Sequence, residues 1–165
     1  MEQRPCPRAA PSAHPAVQPP ATVARRGPPL PDGRRPIILT CGPEERHTLG
    51  LEALGALLRQ RGWDCRLLGA NVPPDSLLTA VRQIKPAAVV LVSQLPSGRR
   101  SAVDALRGVA PALQGTSPDE HHLFYAGGAF QSSGSRESVP GTYLGDDLSY
   151  AADLITSTTN PDPNQ

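Results

Sequence analysis

The chain has 165 residues and a formal net charge of +1, with 38% hydrophobic and 4% aromatic residues, a length that supports one ordinary domain. Its three cysteines, Cys6, Cys41 and Cys65, have no CxxC spacing, so neither a disulfide framework nor a zinc site is indicated. No apolar run approaches a membrane span and the amino terminus lacks the apolar core of a secretory signal, so the expected location is the cytoplasm, away from membranes.

Residues 1–34 are crowded with Pro, Ala and Arg and lack a periodic apolar pattern. Such a stretch buries too little apolar surface to offset its ordering entropy, and a disordered tail is expected. Its arginines (Arg4, Arg8, Arg25, Arg26 and Arg34) are scattered among prolines without interleaved aromatics, which favours a solubilising or linker role over direct nucleic-acid binding. Residues 35–156 form the expected domain, and 157–165 a second disordered tail.

From Pro36 the pattern alternates. Pro36 to Thr40 predicts a first strand, and His47 to Arg61 a helix with Leu49, Ala53, Leu54, Leu57 and Leu58 on one face, stopped by Gly62. A strand at Asp64 to Leu68 leads to a helix from Asp75 to Ile84, with Asp75 or Ser76 as N-cap and Pro86 forbidding continuation. Ala87 to Val92 is a continuous run of small and β-branched residues, as a central parallel strand requires. A helix from Arg100 to Leu113 follows, its last turns weakened by Gly108 and Pro111, then a strand at His122 to Ala126. Serines and a glycine at 132–135 predict a short or irregular fourth helix. Thr142 to Leu144 is the fifth strand, and Asp147 to Ile155 the last helix, with Asp146 or Asp147 as N-cap. The implied fold is α/β: an open five-stranded parallel sheet, flavodoxin-like, in the order 2-1-3-4-5 with right-handed crossovers.

Three short runs end successive strands. Glu45-Arg46-His47-Thr48-Leu49-Gly50 follows the first, Ser93-Gln94-Leu95 the third and Gly127-Gly128 the fourth. A carboxylate two residues before a histidine accepts its Nδ1–H and leaves Nε2 facing a metal. Alone, the pair is also an ordinary capping arrangement, Ser93 a small residue closing a strand, and the glycines turn chemistry. In the order 2-1-3-4-5 the switch point lies between the first and third strands, where ligands bind, so His47 and Ser93 converge on one crevice.

Together these runs resemble the cobalamin-binding domain found in methionine synthase, base-off mutases, corrinoid methyl carriers and light-sensing MerR-type regulators. The resemblance covers Arg35 to Ile155 and is closest to the light-sensing regulators, particularly at residues 45–51 and 144–147. It implies that cobalamin, as adenosylcobalamin or methylcobalamin, lies on the carboxyl edge of the sheet with its own base displaced from cobalt. His47 would be the lower metal ligand and Glu45 its orienting partner, at a position where the family more often has Asp. Gly50 would allow close approach in the first helical turn, with Arg46, Thr48 and Leu49 completing the run. Ser93 would meet the displaced base, Leu95 would be a wall, and Ser97 would add a hydroxyl where the family often has Thr. Gly127 and Gly128 would leave room for the nucleotide tail. Phe130 would stack on that tail or serve as a core aromatic, and Gly145 would line the same channel.

Other functions on this fold want different residues. A phosphoacceptor receiver needs Asp where Ser93 stands, a dinucleotide fold needs Gly-x-Gly-x-x-Gly where Cys41-Gly42-Pro43-Glu44 stands, and a flavodoxin needs a hydroxyl-rich phosphate loop. The resemblance implies a sensory or regulatory module responding to cobalamin or light. The alternative is a corrinoid carrier subunit of a methyltransferase or mutase. No catalytic residue is expected in the chain itself. Its partner would be a transcriptional regulator, a methyltransferase subunit or a second copy.

Overall fold

The computed structural model describes residues 35–113 and 122–159. The tail expected at 1–34, with Cys6 and its arginines, lies outside the described residues, as do 160–165. Five strands, β1 (Ile37–Cys41), β2 (Cys65–Gly69), β3 (Ala88–Val92), β4 (His122–Ala126) and β5 (Thr142–Tyr143), pair in parallel in the order β2-β1-β3-β4-β5. Between them run α1 (Leu49–Gln60), α2 (Pro74–Ile84), α3 (Arg99–Leu113) and α4 (Ser133–Arg136), and α5 (Leu148–Thr159) follows the last strand. Short 3-10 turns occupy Pro96–Gly98 and Gly128–Phe130.

Every residue of β1 and β3 is buried, as strands covered on both faces must be. Their side chains alternate between two cores. Ile37, Leu39, Cys41, Val90 and Val92 pack with Leu51, Leu54 and Leu58 of α1 and with Ala151, Ala152 and Ile155 of α5. Ile38, Val89 and Leu91 pack on the opposite face with Leu77 and Val81 of α2 and Ala102, Leu106 and Val109 of α3. Fully burying one such aliphatic side chain stabilises the fold by roughly 1.5–3 kcal/mol, so these two layers hold the sheet edge that carries the site.

Several boundaries differ from expectation, each for a local reason. Helix α1 begins at Leu49 rather than His47, because Thr48 takes the N-cap place and its carbonyl accepts the Glu52 amide at 2.8 Å. His47 is thereby left in the loop. Helix α2 begins at Pro74, with Pro73 rather than Asp75 or Ser76 at the N-cap, since proline's fixed φ suits a first helical position. Lys85 ends it in the left-handed conformation ahead of Pro86. Helix α3 continues through Pro111 to Leu113, whose side chain is buried in the second core. Helix α5 extends past the expected tail boundary to Thr159, and Trp63 Nε1 donates to Thr156 Oγ1 at 3.2 Å along its length. Asp147 is the N-cap as expected, accepting the Tyr150 amide at 2.7 Å. Helix α4 is one short turn, capped by Ser132.

The pairing of β1 with β2 slips between Leu39 and Thr40, so that Thr40 faces Gly69 and Leu68 is an extra residue. Gly69 adopts a positive φ of 89°, which glycine tolerates without strain. Two residues beyond Gly69, the Asn71 amide donates to the Glu45 carbonyl in the loop after β1 at 2.7 Å.

Candidate functional site at the carboxyl edge of the sheet

The loop after β1 is organised around a buried carboxylate. Glu45 is 2% exposed. Its Oε1 accepts the backbone amides of Arg46 and His47, both at 2.8 Å, and pairs with His47 Nδ1 at 2.5 Å. Its Oε2 accepts the Gln94 amide, also at 2.5 Å, from the loop after β3. Burial pushes the Glu45 carboxyl up, but the amides of His47 and Gln94, the His47 ring and the Arg46 amide outweigh it and hold the group below the ordinary carboxylate range. Glu45 is therefore an anion that accepts Nδ1–H, and His47 presents Nε2 outward from a side chain that is 64% exposed.

Beneath the loop, Cys41 Sγ donates to the His47 carbonyl at 3.6 Å. Burial, and then the nearby Glu45 and Glu52 carboxylates, push this thiol up to about 11, which keeps it a donor. Cys65 is likewise a buried thiol pushed up to about 11, chiefly by burial.

Ser93 follows β3 directly and is fully buried, its amide bonded to the Ala126 carbonyl at 3.0 Å. Its Oγ has no hydrogen-bond partner among the described residues. The turn Pro96–Gly98 lies over this hydroxyl, so close that a Cβ on Gly98 would come within 3.1 Å of it. A buried hydroxyl without a partner costs about 1–3 kcal/mol, and no contact among the described residues offsets that cost here.

The glycine pair after β4 packs against the same loop. At Gly127, with φ of 106°, a Cβ would run into the Ser93 carbonyl, and at Gly128 it would stand 2.6 Å from the Gln94 carbonyl. These positions are glycine because the loops after β3 and β4 touch, a reason distinct from the room for a tail that the resemblance implied. Gln94 completes the connection, its side-chain Oε1 accepting the Gly128 amide at 3.1 Å. Sequence reasoning missed Gln94 as a site residue. A backbone amide donor leaves no signature in residue identity, and only its place between Ser93 and Leu95 pointed to it.

Glu45, His47 and Gly128 are thus joined through Gln94 by hydrogen bonds, with Ser93 and Gly127 beside them in the chain. Around them, Arg46 and Ser97 are exposed and Thr48 is half-buried. Leu49, at the start of α1, and Leu95, in the loop after β3, are 80% and 50% exposed apolar side chains. Gly50 has nothing within 4 Å of the place a Cβ would take, leaving open space on the first turn of α1. Gly145, after β5, is similarly open but lies beyond β4 from the switch point. Phe130 is in the core: it is fully buried with its ring edge-on to Tyr125 at 4.9 Å, and of the two roles open to it the packing one is observed.

No group of three or more His, Cys, Asp or Glu side chains among the described residues could hold a bare metal ion. A single outward imidazole nitrogen suits a metal that arrives with its other ligands already in place, as the cobalt of a corrin ring does. The partnerless hydroxyl of Ser93 and the open space at Gly50 fit the same kind of guest.

An open parallel sheet with its polar constellation at the switch point defines a flavodoxin-like ligand-binding module. The model of the B12 binding domain matches residues 35–143, and the chain belongs to that family. Its cofactor is cobalamin. The HTH-type transcriptional repressor CarA of Myxococcus xanthus is 34% identical over 119 residues, 67% of this chain and 41% of that protein. The chain thus spans about two fifths of that relative's length. A cobalamin-binding protein from Desulfitobacterium hafniense DCB-2 shares the fold with a TM-score of 0.61 at 17% identity, covering 76% of this chain and 59% of that one. The methanol:cobalamin methyltransferase complex MtaBC of Methanosarcina barkeri does so with a TM-score of 0.61 at 20% identity, covering 76% and 46%.

Proposed function

We propose that this chain binds cobalamin base-off, with His47 as the lower axial ligand of cobalt, and acts as a sensory or regulatory module. The observation that carries the reading is the buried Glu45 carboxylate, both oxygens engaged, holding one exposed imidazole by Nδ1. A carboxylate taken out of water costs free energy, and here it fixes the orientation of an exposed ring. Ser93 Oγ would receive the displaced base, Leu49 and Leu95 would meet the apolar periphery of the ring, and Gly50 would let the cofactor approach α1. Gln94, Gly127 and Gly128 would hold Ser93 and Glu45 in register.

When bound, cobalamin supplies a cobalt–carbon bond that light or a reaction partner can break. The chain's own part is to bind, to orient the lower ligand and to hold the tail, without catalysis of its own. The similarity to the repressor CarA supports a regulatory output, through adenosylcobalamin or methylcobalamin and a protein partner or second copy, in the cytoplasm. No helix among the described residues is long and apolar enough to cross a membrane.

The test is reconstitution of the full chain with hydroxo-, methyl- and adenosylcobalamin, absorbance in darkness and after illumination, and paramagnetic resonance of the reduced Co(II) form. Wild type should show coupling to one histidine nitrogen, and His47→Ala should lose it. An unchanged spectrum in the variant would overturn the ligand assignment. Methyl transfer to or from the bound cofactor by a barrel enzyme, with no response to light, would replace the sensor by the corrinoid carrier.

A further inference from the structure

We propose that Asn71, in the loop between β2 and α2, is a positioning residue that sets the His47 loop for cobalt ligation; this rests on the reading of His47 as the lower ligand. Two hydrogen bonds run reciprocally between the loops. The Glu44 amide donates to Asn71 Oδ1 at 2.8 Å, and the Asn71 amide donates to the Glu45 carbonyl at 2.7 Å. Only the oxygen of the side-chain amide can accept, so its orientation is fixed by chemistry.

Both residues hold left-handed backbone, Glu44 at φ 66° and Asn71 at φ 51°. Asparagine visits that region readily and glutamate does not. Glu44 therefore sits in an unfavourable conformation that the Asn71 oxygen restrains. Asn71 has firm footing for this. Gly69, two residues before it, is paired with Thr40 of β1, Val72 is buried in the second core, and Pro73 stands at the N-cap of α2.

Glu45 is consequently gripped from several directions: its amide by the Gly42 carbonyl at 3.2 Å, its carbonyl by Asn71, and its carboxylate by Gln94. Without the Asn71 grip, residues 44 and 45 lose their fixed place over β1, and the error passes through Oε1 to the imidazole. The bond to Glu44 is solvent-exposed, so it adds little to global stability and its effect is on geometry.

Three variants of the full chain separate these roles. Asn71→Gly keeps left-handed freedom but loses the acceptor, Asn71→Ala loses both, and Asn71→Asp keeps the acceptor. The readouts are cobalamin affinity, histidine-nitrogen coupling in the reduced Co(II) form, and melting of the cofactor-free protein. Asn71→Gly and Asn71→Ala should bind about tenfold more weakly, the lower end for loss of a group that supports a metal ligand, and should develop a signal without nitrogen coupling. Asn71→Asp should resemble wild type, and Asn71→Gly should melt with wild type. Wild-type coupling and affinity in Asn71→Gly, or in Asn71→Ala, would overturn the proposal, as would equal losses in Asn71→Asp. No nitrogen coupling in the wild-type chain would overturn the His47 assignment itself and this proposal with it.

Discussion

Ser93 and Glu45 can be separated by what each does without cofactor. Ser93→Ala removes a buried hydroxyl that has no partner, so the cofactor-free protein should melt at the same temperature or higher. Cobalamin should bind roughly fivefold more weakly, the equivalent of one hydrogen bond of about 1 kcal/mol. Cobinamide, which lacks the nucleotide base, should bind the variant and wild type alike. Equal losses for both ligands would mean that Ser93 shapes the loop and does not meet the base. Glu45→Gln should act on stability as well as on binding. The carboxyl sits below its ordinary value of 4.5 in the folded chain, so its contribution is complete above that pH and is lost as the pH falls through the lowered value. The stability difference between wild type and Glu45→Gln, measured by denaturant melts, should be largest near neutrality and shrink below about pH 4.5. The pairing of Glu45 with His47 was legible in the sequence because two residues in one loop set their own distance. The second oxygen's bond to Gln94 was not, because it crosses between strands and uses a backbone donor. Phe130 was ambiguous for a related reason, since apolar character alone does not say whether a ring faces the core or a guest.

At the level of elements, two glycines in the shared constellation serve different ends. Gly127→Ala forces a side chain into the Ser93 carbonyl at positive φ and should destabilise the fold by about 3 kcal/mol or more. Gly50→Ala meets nothing and lies in a helix, so it should stabilise the cofactor-free protein by about 0.4–1 kcal/mol while weakening cobalamin binding. Thermal melts with and without cofactor check both, and weakened melting of Gly50→Ala without cofactor would show a structural role. The strands and main helices followed from periodicity and from the run of apolar residues in β3, the short fourth helix from its serines and glycine, and the strand order from the likeness to a flavodoxin-like fold. The ends of the elements did not. The start of α2 depended on two adjacent prolines, and the last turns of α5 carry a bond from Trp63, in the loop between α1 and β2, which no local pattern encodes.

For the whole molecule, the polarity of the sheet divides its functions. Residue 35 enters at the amino edge, ahead of β1, while His47, Ser93 and the glycine pair stand at the carboxyl edge. Removing residues 1–34, whose composition favours no packed core, should leave cobalamin affinity within about twofold, a change of roughly 0.4 kcal/mol. A larger loss would place part of that segment over the cofactor. The same polarity bears on the protein's single tryptophan. Trp63 is buried just ahead of β2, at the amino edge and packed among residues of α1 and α5. A five-residue strand spans roughly 17 Å, and the indole and the imidazole lie at opposite edges of such strands. Corrins absorb where indole emits, and energy transfer over such a span is efficient. The chain therefore carries its own optical ruler: cofactor arrival should dim its fluorescence without shifting the colour, whereas loss of the fold should move the emission to the red.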